Sequence, residues 1–130
     1  MLLRTQKVDY TSEFRALSSY LRGSTASACS LFTDRASFEA WAQRWQALLA
    51  RDNAGFETTA DAIELVNPIY IPRNQKVEEA LDAATAGDVK PFVTLVDVVR
   101  QPFTERPGLQ AFAAPAPPSF ATRYSTYCGT

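Results

Sequence analysis

The side chains best equipped for chemistry in this 130-residue chain are two cysteines, one arginine in a proline-fixed turn, a pair of tryptophans and scattered carboxylates. There is no histidine. That removes imidazole acid–base catalysis, Ser-His and Cys-His nucleophile pairs, and the commonest zinc ligand. Cys128, in Tyr127-Cys128-Gly129-Thr130, lies where packing demands are weak. Its thiol could form a disulfide, act as a redox handle, or be an incidental tail cysteine. Cys29 sits in a run of small residues and reads as a buried filler. Arg73, between Pro72 and Asn74, could grip a phosphate or carboxylate through two parallel N–H groups. A structural salt bridge holding the same turn is the commoner use of such a residue. Trp41 and Trp45, one turn apart, share a face with Phe38 and Leu48. Core packing therefore outweighs stacking on a ligand.

The carboxylates are placed as solvated helix residues or caps. Glu78, Glu79 and Asp82 fall on or beside one polar face, while Asp34 and Asp88 precede helical patterns at capping positions. The five glycines, 23, 55, 87, 108 and 129, stand apart from one another. No Walker loop, Rossmann turn or kinase phosphate-covering loop can be built from them, and no HRD-type or DFG-type segment is present. No catalytic, cofactor-binding or metal-binding residue is assigned. An independent enzyme using Cys128 as nucleophile lacks the usual thiolate-generating base.

The formal net charge is −1, and no basic stripe alternates with aromatics. That speaks against nucleic acid and acidic membranes as partners. No apolar run approaches the roughly 20 residues needed to span a bilayer. Met1-Leu2-Leu3 before Arg4 is too short for a signal-peptide core, so cytoplasmic residence is expected. With 46% hydrophobic residues, the composition is that of a globular domain.

The elements that must position these residues are helices. Tyr10, Phe14, Leu17 and Leu21 predict a helix ending near Gly23, followed by a loop from Ser24 to Thr33. Asp34 caps a second, carrying Phe38, Trp41, Trp45 and Leu48 and running to about Arg51. A short third, with Thr58 and Asp61 in a capping arrangement at its start, passes through Ile63 and Leu65 and stops near Val66, ahead of Pro68. The segment 67–74, NPIYIPRN, reads as an extended, partly buried crossing. Val77, Ala80, Leu81 and Ala84 point inward from a fourth helix that Gly87 ends. Phe92, Leu95, Val96 and Val99 form the stripe of a fifth, with Pro91 in its first turn. From Pro102 onward, five prolines and the aromatics Phe103, Phe112, Phe120, Tyr124 and Tyr127 predict an irregular segment packed on the helices. The expectation is an all-α chain of about five helices, with residues 1–101 as a helical domain and 102–130 as its proline-rich wrapping tail.

Taken in order, Val8-Asp9-Tyr10-Thr11, NPIYIPRN, Gly87-Asp88, Arg100-Gln101-Pro102-Phe103 and the final Tyr127-Cys128-Gly129-Thr130 resemble the C-terminal region of the SelO (YdiU) family. The resemblance covers nearly the whole chain and is weakest between Gly23 and Asp61. It implies a protein-kinase-like fold, of which this would be the C-terminal helical part. It implies transfer of AMP from ATP, with magnesium or manganese, to Ser, Thr or Tyr hydroxyls of protein substrates. The family's nucleotide and metal residues lie upstream, so none transfers here and no cofactor is expected on this chain. The position that does transfer is Cys128, which matches a near-terminal selenocysteine or cysteine linked in the family to redox control. The expected partner is an upstream kinase-like domain, with self-association through an exposed face as a further possibility. A free-standing helical interaction module, docking through its aromatic tail or a helix face, is the alternative.

Overall fold

A computed structural model describes residues 6 and 8–125. All regular structure among them is helical, with no strand. The helices are α1 (Tyr10–Leu21), α2 (Thr25–Ser30), α3 (Arg35–Arg51), α4 (Phe56–Val66), α5 (Asn74–Thr85), α6 (Lys90–Arg100), α7 (Gln110–Ala113) and α8 (Pro118–Ala121). The five longest are those the apolar spacing predicts. The chain divides into two compact units, one up to Ile69 and the other from Tyr70 onward, so the boundary falls inside the extended NPIYIPRN crossing.

In the first unit α1 packs on both α2 and α4. Asp9 begins α1, its carboxylate accepting from the Ser12 backbone N–H at 2.9 Å, and Asp34 does the same for Ser37 at 3.0 Å at the start of α3. The core is Ala16, Leu17, Tyr20, Ala28, Cys29, Phe32, Phe38 and Ala42. Phe32 stacks on Phe38 at 4.4 Å, and Tyr20 meets Phe38 edge-on at 5.6 Å. Trp41 and Trp45 stack at 5.5 Å and pack against this core while half-buried. Three details differ from the sequence expectation. The stretch after Gly23 contains the short helix α2, whose Ala28 and Cys29 are core residues. Tyr10 and Leu48 are exposed although they belong to the apolar stripes of α1 and α3. Finally, α4 begins at Phe56, behind Gly55, and not at Thr58.

In the second unit α5 packs on α6. Gly87, at φ +94°, ends the α5 segment in the left-handed region, and Asp88 Oδ1 accepts from the Lys90 backbone N–H at 3.0 Å to start α6. Ala80, Leu95 and Val98 are buried, whereas Leu81 and Phe92 are exposed. The segment after Pro102 is held by polar contacts as well as rings. Tyr70 N donates to Pro102 O at 3.1 Å, and Tyr124 Oη lies 3.3 Å from Glu78 Oε1. The Lys76 ammonium sits 5.9 Å from the Phe112 ring centroid. Prolines do not exclude helix entirely here: α8 starts on Pro118, whose missing N–H falls where none is needed.

Candidate functional site

The densest group of charges in the first unit joins α1 to α4. Glu57, Asp61 and Glu64 recur at i, i+4 and i+7, which places all three on one face of α4. Arg22, at the end of α1, meets every one of them: Nε lies 3.1 Å from Glu57, and Nη2 and Nη1 each lie 2.5 Å from Asp61 and Glu64. Ser18 Oγ donates to Glu64 at 2.8 Å, one turn before Arg22 on the same face of α1. Arg15, a turn earlier still, points its guanidinium at the Glu64 and Asn67 carbonyls, 3.4 Å away, where α4 ends. Burial alone would raise the Glu64 pKa, but the bonds from Ser18 and Arg22 outweigh it and hold that carboxyl below the ordinary range. The Arg22 guanidinium is shifted up, first by its bond to Glu64. The result is a clamp between two helices whose acids are already matched to a cation.

On the opposite side of α1 the charge balance is reversed. Glu13 is 2% exposed and shares its face with Ala16, Leu17 and Tyr20. Its Oε2 is buried with no hydrogen-bond partner among the described residues. Burial pushes its carboxyl up to about 7. Sequence reasoning passed over Glu13 because it is the one polar member of the buried face. Its position three, four and seven residues before Ala16, Leu17 and Tyr20 was the signal available.

Cys29 is buried, with Sγ 3.9 Å from Glu39 Oε1, the same oxygen that accepts from Arg35 Nε at 2.7 Å. Cys128 lies outside the described residues. Arg73 is buried and donates from Nη2 to the Ala113 carbonyl at 2.9 Å, tying the crossing to α7. Arg106 works in a similar way. It reaches Asp97 at 2.8 Å and the carbonyls of Asp97 and Val98 at 3.2 Å, while its own N–H donates to Tyr70 Oη at 3.0 Å. A shallow cavity lies between α5, α6 and Phe112, and its charged lining residues are Lys76, Glu79, Asp88 and Lys90. Lys76 pairs with Glu79 at 2.7 Å, a contact that draws the Glu79 pKa down, and Asp88 is spent on capping. Among the described residues no group of three acidic, cysteine or histidine side chains converges to hold a metal.

Each charged cluster thus closes on the protein itself: guanidinium groups pin carbonyls at helix ends, and carboxylates cap helices or meet Arg22. The second unit ties an extended crossing and a proline-rich segment onto a helix pair, and the first is a helical packet. Among the described residues both units are built from helices and the segments that join them.

Residues 1–100 match the family described as protein adenylyltransferase SelO, and the chain belongs to that family, corresponding to its C-terminal region. A protein nucleotidyltransferase YdiU of Mycobacterium sp. (strain KMS) is 52% identical over 129 residues, which are 99% of this chain and 25% of the relative. The YdiU protein nucleotidyltransferase of Mycolicibacterium paratuberculosis is 48% identical over 133 residues, again 99% of this chain and 25% of the relative. That of Sphingopyxis alaskensis is 45% identical over 128 residues, 98% of this chain and 26% of the relative. The chain spans about a quarter of the length of these curated relatives. No helix among the described residues is long and apolar enough to cross a membrane.

Proposed function

We propose that this chain is the non-catalytic C-terminal portion of a protein adenylyltransferase, where it braces the nucleotide-binding lobe. The observation that carries this reading is the family match over residues 1–100, to relatives about four times as long and named as protein nucleotidyltransferases. In the whole protein, AMP passes from ATP to a hydroxyl of a protein substrate in the cytoplasm, with magnesium or manganese on the phosphates. The described residues do not fit that nucleotide–metal pair. Its clustered carboxylates face Arg22, and the acids beside its shallow cavity pair with Lys76 or cap a helix. Phosphate and metal chemistry therefore belongs to the preceding three quarters of the protein.

Cys128 supplies a redox-sensitive thiol in this reading, acting on a cysteine of the catalytic lobe. The buried Cys29 is a packing residue. The test is calorimetry of ATP with magnesium or manganese against the purified 130-residue chain, together with intact-mass detection of AMP transfer. The same assays are run on a chimera in which this chain replaces the matching quarter of the Mycobacterium sp. (strain KMS) relative. ATP binding and AMP transfer by the chimera, and neither by the chain alone, are expected. A nucleotide site within the 130 residues would overturn the reading.

A further inference from the structure

The polar residues of α6 are too few to face water on all the sides that the chain leaves open. Between Val89 and Arg100 the polar side chains are Lys90, Thr94, Asp97 and Arg100. At roughly 100° per residue, Lys90, Thr94 and Asp97 form one narrow stripe. Leu95 and Val98 form a second face, buried in the unit that α6 shares with α5. Val89, Phe92 and Val93, at i, i+3 and i+4, form a third with half-buried Val96, and they are 58, 47 and 60% exposed. Apart from Arg100, which closes the third face at the last residue of α6, the helix is apolar on all but one stripe, the pattern of a helix buried on two sides. Among the described residues the third side stays exposed.

We infer that the Val89–Phe92–Val93 face of α6 is the seat on which the preceding part of the polypeptide docks. This rests on the reading above that the chain is one portion of a longer protein, and it names the surface by which that portion is joined. Two observations select the occupant. Relatives of about 50% identity carry roughly three times as much additional chain as is present here, so in them a large further part of the polypeptide is joined to the matching portion. The matched stretch of the family runs to residue 100, the last residue of α6. The docking segment presents an apolar surface to Phe92 and Val93. The exposed cations Lys90 and Arg100, near the two ends of the helix, favour carboxylates at its margins.

The test is carbene footprinting of α6 in the 130-residue chain and in the chimera with the Mycobacterium sp. (strain KMS) relative, alongside melting curves of Phe92→Glu and Val93→Glu in both. Val89, Phe92 and Val93 are expected to label strongly in the chain and to fall to background in the chimera. Both substitutions are expected to leave the melting temperature of the chain unchanged and to lower that of the chimera. Equal labelling in both proteins overturns the inference. So does protection already present in the 130-residue chain, whether as a monomer or as a concentration-dependent dimer. Footprinting needs no activity, so the two readings separate. A protected face in a chimera that transfers no AMP upholds the docking and refutes the adenylyltransferase assignment. AMP transfer with the face still labelled does the reverse.

Discussion

Replacing Glu13 with glutamine will make the first unit more stable at alkaline pH and leave it nearly unchanged at acidic pH. The carboxyl is buried on the face of α1 that carries Ala16, Leu17 and Tyr20, and its Oε2 has no hydrogen-bond partner among the described residues. Burial raises its pKa from 4.5 to about 7. Below 4.5 the group is protonated both folded and unfolded, and it makes no pH-dependent contribution. Between 4.5 and about 7 the folded chain keeps a proton that the unfolded chain has released, so stability falls as pH rises. Above about 7 both states are ionised, and the penalty for the buried charge is fully present. A displacement of this size corresponds to about 3 kcal/mol between the two limits.

Glutamine has the shape of the protonated acid and does not titrate. The advantage of Glu13→Gln should therefore grow from near zero at pH 4.5 to about 3 kcal/mol at pH 8. The background is favourable, because the chain has no histidine to change charge in the same window. Both tryptophans, Trp41 and Trp45, belong to the same unit as Glu13, so urea melts followed by their fluorescence read the relevant transition. A difference between variant and parent that stays constant from pH 4.5 to 8 would refute the reasoning, as would a variant destabilised throughout.

Three further outcomes follow from the clusters described above. Arg22→Met should lower the melting temperature at neutral pH, because Glu57, Asp61 and Glu64 lose their shared cation. Since the Glu64 pKa is held below 4.5, that loss should shrink as pH falls through the carboxylate range, and salt should reduce it too, both visible in calorimetric scans. Tyr70→Phe removes the oxygen that accepts from the Arg106 N–H, and should cost the second unit about 1–3 kcal/mol in a denaturant series followed by circular dichroism. Gly87→Ala meets no atom within 4 Å, so its effect is backbone strain at φ +94° alone, about 1 kcal/mol in the same assay.

What could be read from the sequence was whatever a few neighbouring residues decide. Asp34 caps α3 because its own carboxylate reaches the Ser37 N–H, three residues along. Gly87 ends its helix segment because a left-handed residue is needed there, and Pro68 lies two residues beyond Val66, the last residue of α4. Apolar spacing located the five long helices for the same reason, since period is a local property. The short α2 escaped because Thr25-Ala26-Ser27-Ala28-Cys29-Ser30 has no stripe to measure. Its place in the core comes from Ala28 and Cys29 meeting side chains of α1 and α3.

What could not be read was which of several similar side chains a distant element would cover. Tyr10 continues the stripe of Phe14, Leu17 and Leu21, yet it is 66% exposed, while Glu13 beside it is enclosed. Periodicity ranks the two the other way, because it scores each residue's own preference and not the surface brought against it. The Arg22 clamp has the same origin. Its acids lie 35 to 42 residues away along the chain, and their meeting depends on how α1 and α4 cross. On α6, Phe92 and Leu95 were both expected inward; Leu95 is buried and Phe92 is exposed, yet the sequence was not misleading about Phe92. It specified burial without specifying a partner, and among the described residues Phe92 stays exposed. An apolar stripe that the fold leaves open is then itself an observation about the rest of the protein, and footprinting of Phe92 and Val93 measures it directly.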